Sequence, residues 1–224
     1  KFFMPKRSGA MPSQTIKEMM AGGKIIGAKE DKVQPASLDL TITDEIYRIE
    51  AIFQPRPGES VRNALGDVNT IPYDLRYPLE RNVTYLAKLN ESLDLPQSVY
   101  AYCNPKSSTG RNDIQVRVIA DGVPRYDAAT PAGFTGELWL AITSNSFPVL
   151  LSRDEALSQI RFFNRNTRFD ELELQVAFDK DKLLWSTRGK PFSYKDIKIS
   201  DEDGSIILTA DVGREIVGWE CLGI

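Results

Sequence analysis

A mostly β fold, an antiparallel sandwich, jelly roll or barrel with one short helix near its start, is what this sequence predicts. Three observations carry that expectation. The apolar periodicity is two along most of the chain. The apolar runs are short and rich in Val, Ile, Tyr, Phe and Trp. Pro, Gly, Asn and Asp punctuate them at close intervals, as they do in small all-β domains.

The 224 residues suit one large domain, or one domain and part of a second. With 42% hydrophobic and 26% charged residues, the chain can bury a core and reads as an ordinary globular protein. Residues 13–21 read as the helix: Ser13 is the candidate N-cap, Ile16, Met19 and Met20 form the apolar face, and Gly22-Gly23 stop it. Strands are expected at residues 37–40, 46–49, 83–89, 98–104, 114–120, 136–144, 147–151 and 158–163. Residues 54–78 read as a long loop with one helical turn at 61–65. Composition shifts near 164–170, after which 172–178 and 205–212 read as strands joined by a charged connection. The sequence stops on an apolar, strand-like run, Trp219 to Ile224.

Composition excludes several chemistries. The chain has no histidine, so a Ser-His-Asp triad and histidine-built zinc sites are ruled out. Zinc deaminases of nucleobases use His/Cys/Cys or three Cys ligands, and two cysteines, Cys103 and Cys221, are too few. Both read as small buried hydrophobes, with no disulfide framework. A net charge of −3 argues against binding a nucleic-acid polymer, because such affinity rests on many Lys and Arg contacts. No stretch of 18 apolar residues marks a membrane span, and the first residues lack the apolar segment of a signal peptide. The expected location is the cytoplasm.

The densest site candidate is Asn104-Pro105-Lys106-Ser107-Ser108-Thr109-Gly110-Arg111, set between two strands. Its hydroxyls lie between Lys106 and Arg111, with Pro105 and Gly110 shaping the turn. Hydroxyls, backbone N–H groups and flanking cations suit phosphate oxygens. A capped turn opening a helix is the plainer alternative.

The string Pro-Lys-Ser-Ser-Thr-Gly-Arg resembles the phosphate-binding motif of the dUTPase and dCTP deaminase superfamily. Other segments line up in order: Gln-Pro-Ala-Ser-Leu-Asp-Leu at 34–40, Glu-Ser-Leu at 91–93 with Leu95-Pro96, Pro-Ala-Gly-Phe-Thr-Gly-Glu at 131–137, and Leu-Ser-Gln-Ile-Arg-Phe at 157–162. The resemblance implies a dUTPase-like distorted jelly roll or β-barrel (β-clip), usually trimeric, with nucleotide sites between subunits. It resembles most the first half of a bacterial dCTP deaminase form carrying two such folds in tandem. The expected division is an extension at 1–11, a dUTPase-like domain at 12–168, and at 169–224 a connection with the opening strands of a second unit, either truncated or reduced.

What the resemblance implies for function is hydrolytic deamination of dCTP to dUTP and ammonia. The alternatives are a dUTP diphosphatase, or a nucleotide-binding member without catalysis. Ser107 and Ser108 would contact phosphate oxygens or place water, beside Lys106. Arg111 would sit near the reacting base or the phosphates. Backbone groups of 118–121, with Ala120 and Asp121, would read the pyrimidine edge. Asp127 would contact the sugar hydroxyl or orient an attacking water, and Gln159 would touch the phosphates. Magnesium would be held mainly by the triphosphate and water, with no zinc. A homotrimer or pseudo-trimer is the implied assembly.

One departure opposes the deaminase reading. The family places its general-base Glu five residues past the last glycine of the Gly-aromatic-x-Gly turn, and here that residue is Ala141. Glu137 shares the strand face but lies four residues away, roughly 13 Å. Asp121 and Asp127 are the remaining substitutes. Residues 188–193 bear a faint likeness to the diphosphatase tail without its glycines.

Overall fold

The computed structural model describes residues 8–165, 167–199 and 206–218. The chain divides into two compact units, the first running to Thr167 and the second beginning at Arg168.

The first unit is built, in chain order, from β1 (Gly9–Ala10), α1 (Ser13–Ala21), β2 (Ile25–Ile26), β3 (Val33–Gln34), β4 (Ser37–Ile49), α2 (Val61–Leu65), β5 (Thr70–Pro72) and β6 (Thr84–Asp94). There follow β7 (Val99–Pro105), α3 (Ser107–Arg111), β8 (Ile114–Ala120), β9 (Ala128–Ala129), β10 (Thr135–Ser144) and β11 (Ala156–Asn164). Its strands form one antiparallel sheet in the order β8-β10-β6-β4-β11-β7-β9. The sheet curls into a nearly closed barrel, so the mostly β, jelly-roll reading holds. Asp127 joins its two ends, donating its N–H to the Val118 carbonyl on β8 while its own carbonyl accepts from Cys103 N–H on β7, both at 2.8 Å.

Period two explains the layers. Along β10, Leu138, Leu140 and Ile142 point into the main core with Leu38, Leu40, Leu89, Ile160 and Phe162. The alternate residues Trp139 and Ala141 face outward into a second apolar cluster. There Ile49, Leu86 and Ile119 from neighbouring strands meet Val61 of α2.

Several expected elements changed on folding. Residues 37–40 and 46–49 belong to one strand, β4, because a bulge between Ile42 and Ile46 lets it run on while shifting its register against β6. The N-cap of α1 is Pro12, whereas Ser13 lies inside the helix and donates its N–H to the Pro35 carbonyl. Residues 147–151 form only an isolated bridge, Leu79 with Val149; Pro148 has no N–H to extend a ladder.

In the second unit, residues 172–178 are not a strand. They lie in α4 (Glu171–Asp181), capped by a reciprocal box between Asp170 and Glu173. Alternating Leu172, Leu174 and Val176 mimicked period two, but the intervening Glu, Gln, Ala and Lys favour helix. The expected strand at 205–212 is reduced to β13 (Ile206–Ile207), paired with β12 (Lys198–Ile199). Residues 188–193 lie at a tight hairpin, with Gly189 at φ +72°. Ser205 and the run Trp219–Ile224 lie outside the described residues. No helix among the described residues is long and apolar enough to cross a membrane.

Candidate active site

The turn after β7 is fixed from beneath. The Leu157 carbonyl accepts both Lys106 N–H, at 3.0 Å, and the hydroxyl of buried Thr109, at 2.9 Å. Thr109 therefore spends its hydroxyl on the scaffold. Ser107, Ser108 and Arg111 stay exposed, and their side chains have no partner among the described residues. The turn forms the short helix α3, preceded by Lys106, with no side-chain hydrogen bond capping its N-terminus.

Lys106 Nζ reaches back to the buried carboxylate of Asp39, whose side chain is 7% exposed. Gln34 Nε2 donates to the same carboxylate at 3.4 Å. Gln159 stands between Asp39 on β4 and Asn104 on β7 in the two ladders, and its Oε1 accepts from Ser37 Oγ at 3.3 Å. Directly opposed residues share a sheet face. The fold thus gathers Lys106, Ser107, Ser108, Arg111 and Gln159 at one end of the barrel, with Asp39 as their organiser.

Ala120 and Asp121 lie at the other end of β8. From Ile114 to Ala120 the strand rises roughly 20 Å. Two of the backbone groups expected to read a pyrimidine have partners within the chain: Asp121 N–H donates to the Glu137 carbonyl and the Ala120 carbonyl accepts from Val123 N–H, both at 3.2 Å. Asp121 Oδ1 accepts from Val61 N–H and Oδ2 from Glu137 N–H, both at 2.8 Å. Gly122 N–H donates to the Glu59 carbonyl at 2.7 Å. Gly122 sits at φ +67°, and a Cβ there would come 3.1 Å from the Gly58 nitrogen, so the contact requires glycine.

Asp127 lies between these ends. It holds φ +57° and accepts at Oδ1 from Val118 N–H, while Oδ2 pairs with Arg117 Nη1, each at 2.8 Å. These contacts close the barrel and engage both carboxylate oxygens.

Ala141 is 4% exposed and stands opposite Arg117 of β8 and Leu86 of β6. Phe53, Leu65, Tyr47 and Tyr126 pack on the cluster that contains it. Trp139 is fully buried there, and its Nε1 has no partner among the described residues. Glu137 forms ion pairs with Lys88 at 2.8 Å and Arg62 at 2.9 Å. Partial burial pushes its carboxyl up, but the two cations outweigh this and hold it below the ordinary range. Arg62 also forks onto Glu45 and lies 5.1 Å above the Trp139 ring. Sequence reading passed over Arg62, Glu45 and Arg117. No local sequence signal marks them, because their partners are brought in by the folding of other segments.

No cluster of three or more His, Cys, Asp or Glu side chains able to hold a metal occurs among the described residues. Asp39, the carboxylate beside the turn, is already spent on Lys106. This end of the barrel offers cations and hydroxyls, a set suited to phosphate oxygens.

Residues 7–166 match the 2'-deoxycytidine 5'-triphosphate deaminase N-terminal domain, and the chain belongs to that family. It is 26% identical over 191 residues to the dUMP-forming dCTP deaminase of Methanobrevibacter smithii, covering 82% of this chain and 93% of that protein. Over 134 residues it is 29% identical to the dCTP deaminase of Sulfurisphaera tokodaii, covering 58% of this chain and 64% of that one. The crystal structure of 2'-deoxycytidine 5'-triphosphate deaminase from Agrobacterium tumefaciens matches with a TM-score of 0.67 and 36% identity over 78% of this chain. The present chain spans 53% of that solved relative's length.

Proposed function

We infer that this chain is the nucleotide-recognising fold of a dCTP deaminase, acting in the cytoplasm as a homotrimer or pseudo-trimer on dCTP. The observation that carries the reading is the Ser107–Arg111 turn, rigidly anchored through Thr109 and Leu157, yet leaving two hydroxyls and a guanidinium unspent. In a fold of this family, such a turn suits the triphosphate. Magnesium would ride on the phosphate oxygens and water, in keeping with its preference for few protein ligands. In the reaction, water adds to C4 of the cytosine ring and ammonia leaves. dUTP is the product we propose, and further hydrolysis to dUMP and pyrophosphate is the variant that the Methanobrevibacter relative's name raises.

The roughly 20 Å between the turn and the Ala120 end of β8 supports an assembly in which one nucleotide meets two folds. A second reading, binding without catalysis, rests on Ala141. A methyl group cannot move the proton that a general base must take from water.

Incubation of the purified chain with magnesium and dCTP, then dUTP, tests the reading if ammonia and pyrophosphate are followed separately. Ammonia from dCTP is the expected result, with pyrophosphate as well if dUMP forms. Pyrophosphate from dUTP without ammonia from dCTP would move the chain to the diphosphatase branch. Neither product, with dCTP still bound, would establish the silent reading.

A further inference from the structure

The first part of the loop expected over 54–78, including its helical turn at 61–65, covers part of the outer face of the sheet. Residues 53–65 put Phe53, Val61 and Leu65 onto Ile119, Leu86, Trp139 and Ala141. Polar contacts fasten the segment along its length. Ser60 caps α2 by accepting Asn63 N–H, the Asp121 carboxylate takes Val61 N–H, and Glu59 offers its carbonyl to Gly122 N–H. Arg62 is the outermost clasp, pairing with Glu45 and Glu137 while covering the Trp139 ring.

We propose that residues 53–65 are an intrachain plug, standing where a planar ring would otherwise rest on the Ile119–Trp139–Ala141 face and occupying the backbone groups beside it. Three properties argue for a site already filled. The covered face is apolar and includes a fully buried tryptophan. The Gly122 N–H, which could read a ligand's edge, is met by a backbone carbonyl in the manner of a ligand carbonyl. The glycine pair Gly58 and Gly122 permits an approach that a side chain at Gly122 would crowd. A base bound through the Ser107–Arg111 turn is therefore read by another surface, and this face contributes no catalytic group. The proposal rests on the nucleotide reading only in naming the excluded ligand.

Thiol labelling of the full chain tests it. In a Cys221→Ser background, Ile119→Cys places a thiol beneath the plug, and Gln115→Cys places one on the same strand in the open. Iodoacetamide should modify the thiol at 119 on the order of a hundredfold more slowly, because labelling must await local opening. Arg62→Ala should speed that reaction and leave the rate at 115 unchanged. Saturating dCTP should alter neither. Ala141→Cys provides a second, smaller change should Ile119→Cys disturb folding. Equal rates at 119 and 115, or strong protection of 119 by dCTP, would overturn the plug. If calorimetry finds no dCTP binding, the nucleotide reading fails, and the nucleotide-free rates with and without Arg62 still decide the plug.

Discussion

Arg117 stands directly opposite Ala141 in the β8–β10 ladder and binds Asp127 through a 2.8 Å ion pair. The position where the family would carry its general base thus faces a guanidinium already committed to another carboxylate.

Ala141→Glu makes that concrete. The new carboxylate would enter an apolar cluster at a position only 4% exposed, competing with Asp127 for Arg117. We expect a stability loss of about 1–3 kcal/mol in urea unfolding. No ammonia release from dCTP above that of the parent chain should follow. A clear gain of deamination would show that the face admits substrate.

Asp127 acts first as a structural staple, so its substitutions should sort by geometry. Asp127→Ala removes the acceptor of Val118 N–H at a left-handed backbone position, costing about 1–3 kcal/mol. Asp127→Asn keeps that acceptor and tolerates φ +57°, and it should cost less. Equal losses from the two would mean that the hydrogen bond contributes little.

Arg111→Ala should weaken dCTP and dUTP binding by about tenfold or more, since a charge-assisted hydrogen bond contributes roughly 1.5–3 kcal/mol. Its side chain has no partner among the described residues, so thermal stability should not change. Calorimetry with unchanged affinity would remove the turn from the site.

Glu91 gives a pH signature. It is 1% exposed, with its carboxylate accepting Thr41 N–H at 2.9 Å and the Thr41 hydroxyl at 2.8 Å. Burial, aided by Asp154, outweighs those bonds and pushes its carboxyl up to about 7. The folded state then keeps a proton that the unfolded chain releases above its ordinary 4.5. Between these values stability falls as pH rises, because the folded state binds more protons. Glu91→Gln should flatten the slope of unfolding free energy between about pH 5 and 7. It should also leave the protein at least as stable as the parent at pH 8. A slope unchanged by the substitution would place the titration elsewhere.

The sequence by itself determined the β architecture, the helix at 13–21, the turn at 61–65 and the short turn that holds two exposed hydroxyls between Lys106 and Arg111. Each is written in local terms: alternation, glycine stops, and hydroxyls between cations. It also placed Ala141 by counting along one strand. Tertiary structure decided what those residues do. Asp127 and Asp121 read as candidate site carboxylates, yet their oxygens meet Val118, Arg117, Val61 and Glu137, partners that only the curled sheet brings near. Residues 54–78 read as a long loop with a helical turn at 61–65, and nothing within them reveals that Val61 would cover Trp139 from 78 positions away. The same limit misled the reading of 172–178, where alternation imitated a strand until capping and helix-forming residues prevailed. Periodicity reports which face of an element is apolar. Which surface covers that face is settled by contacts between residues far apart in the chain, and these leave no local trace.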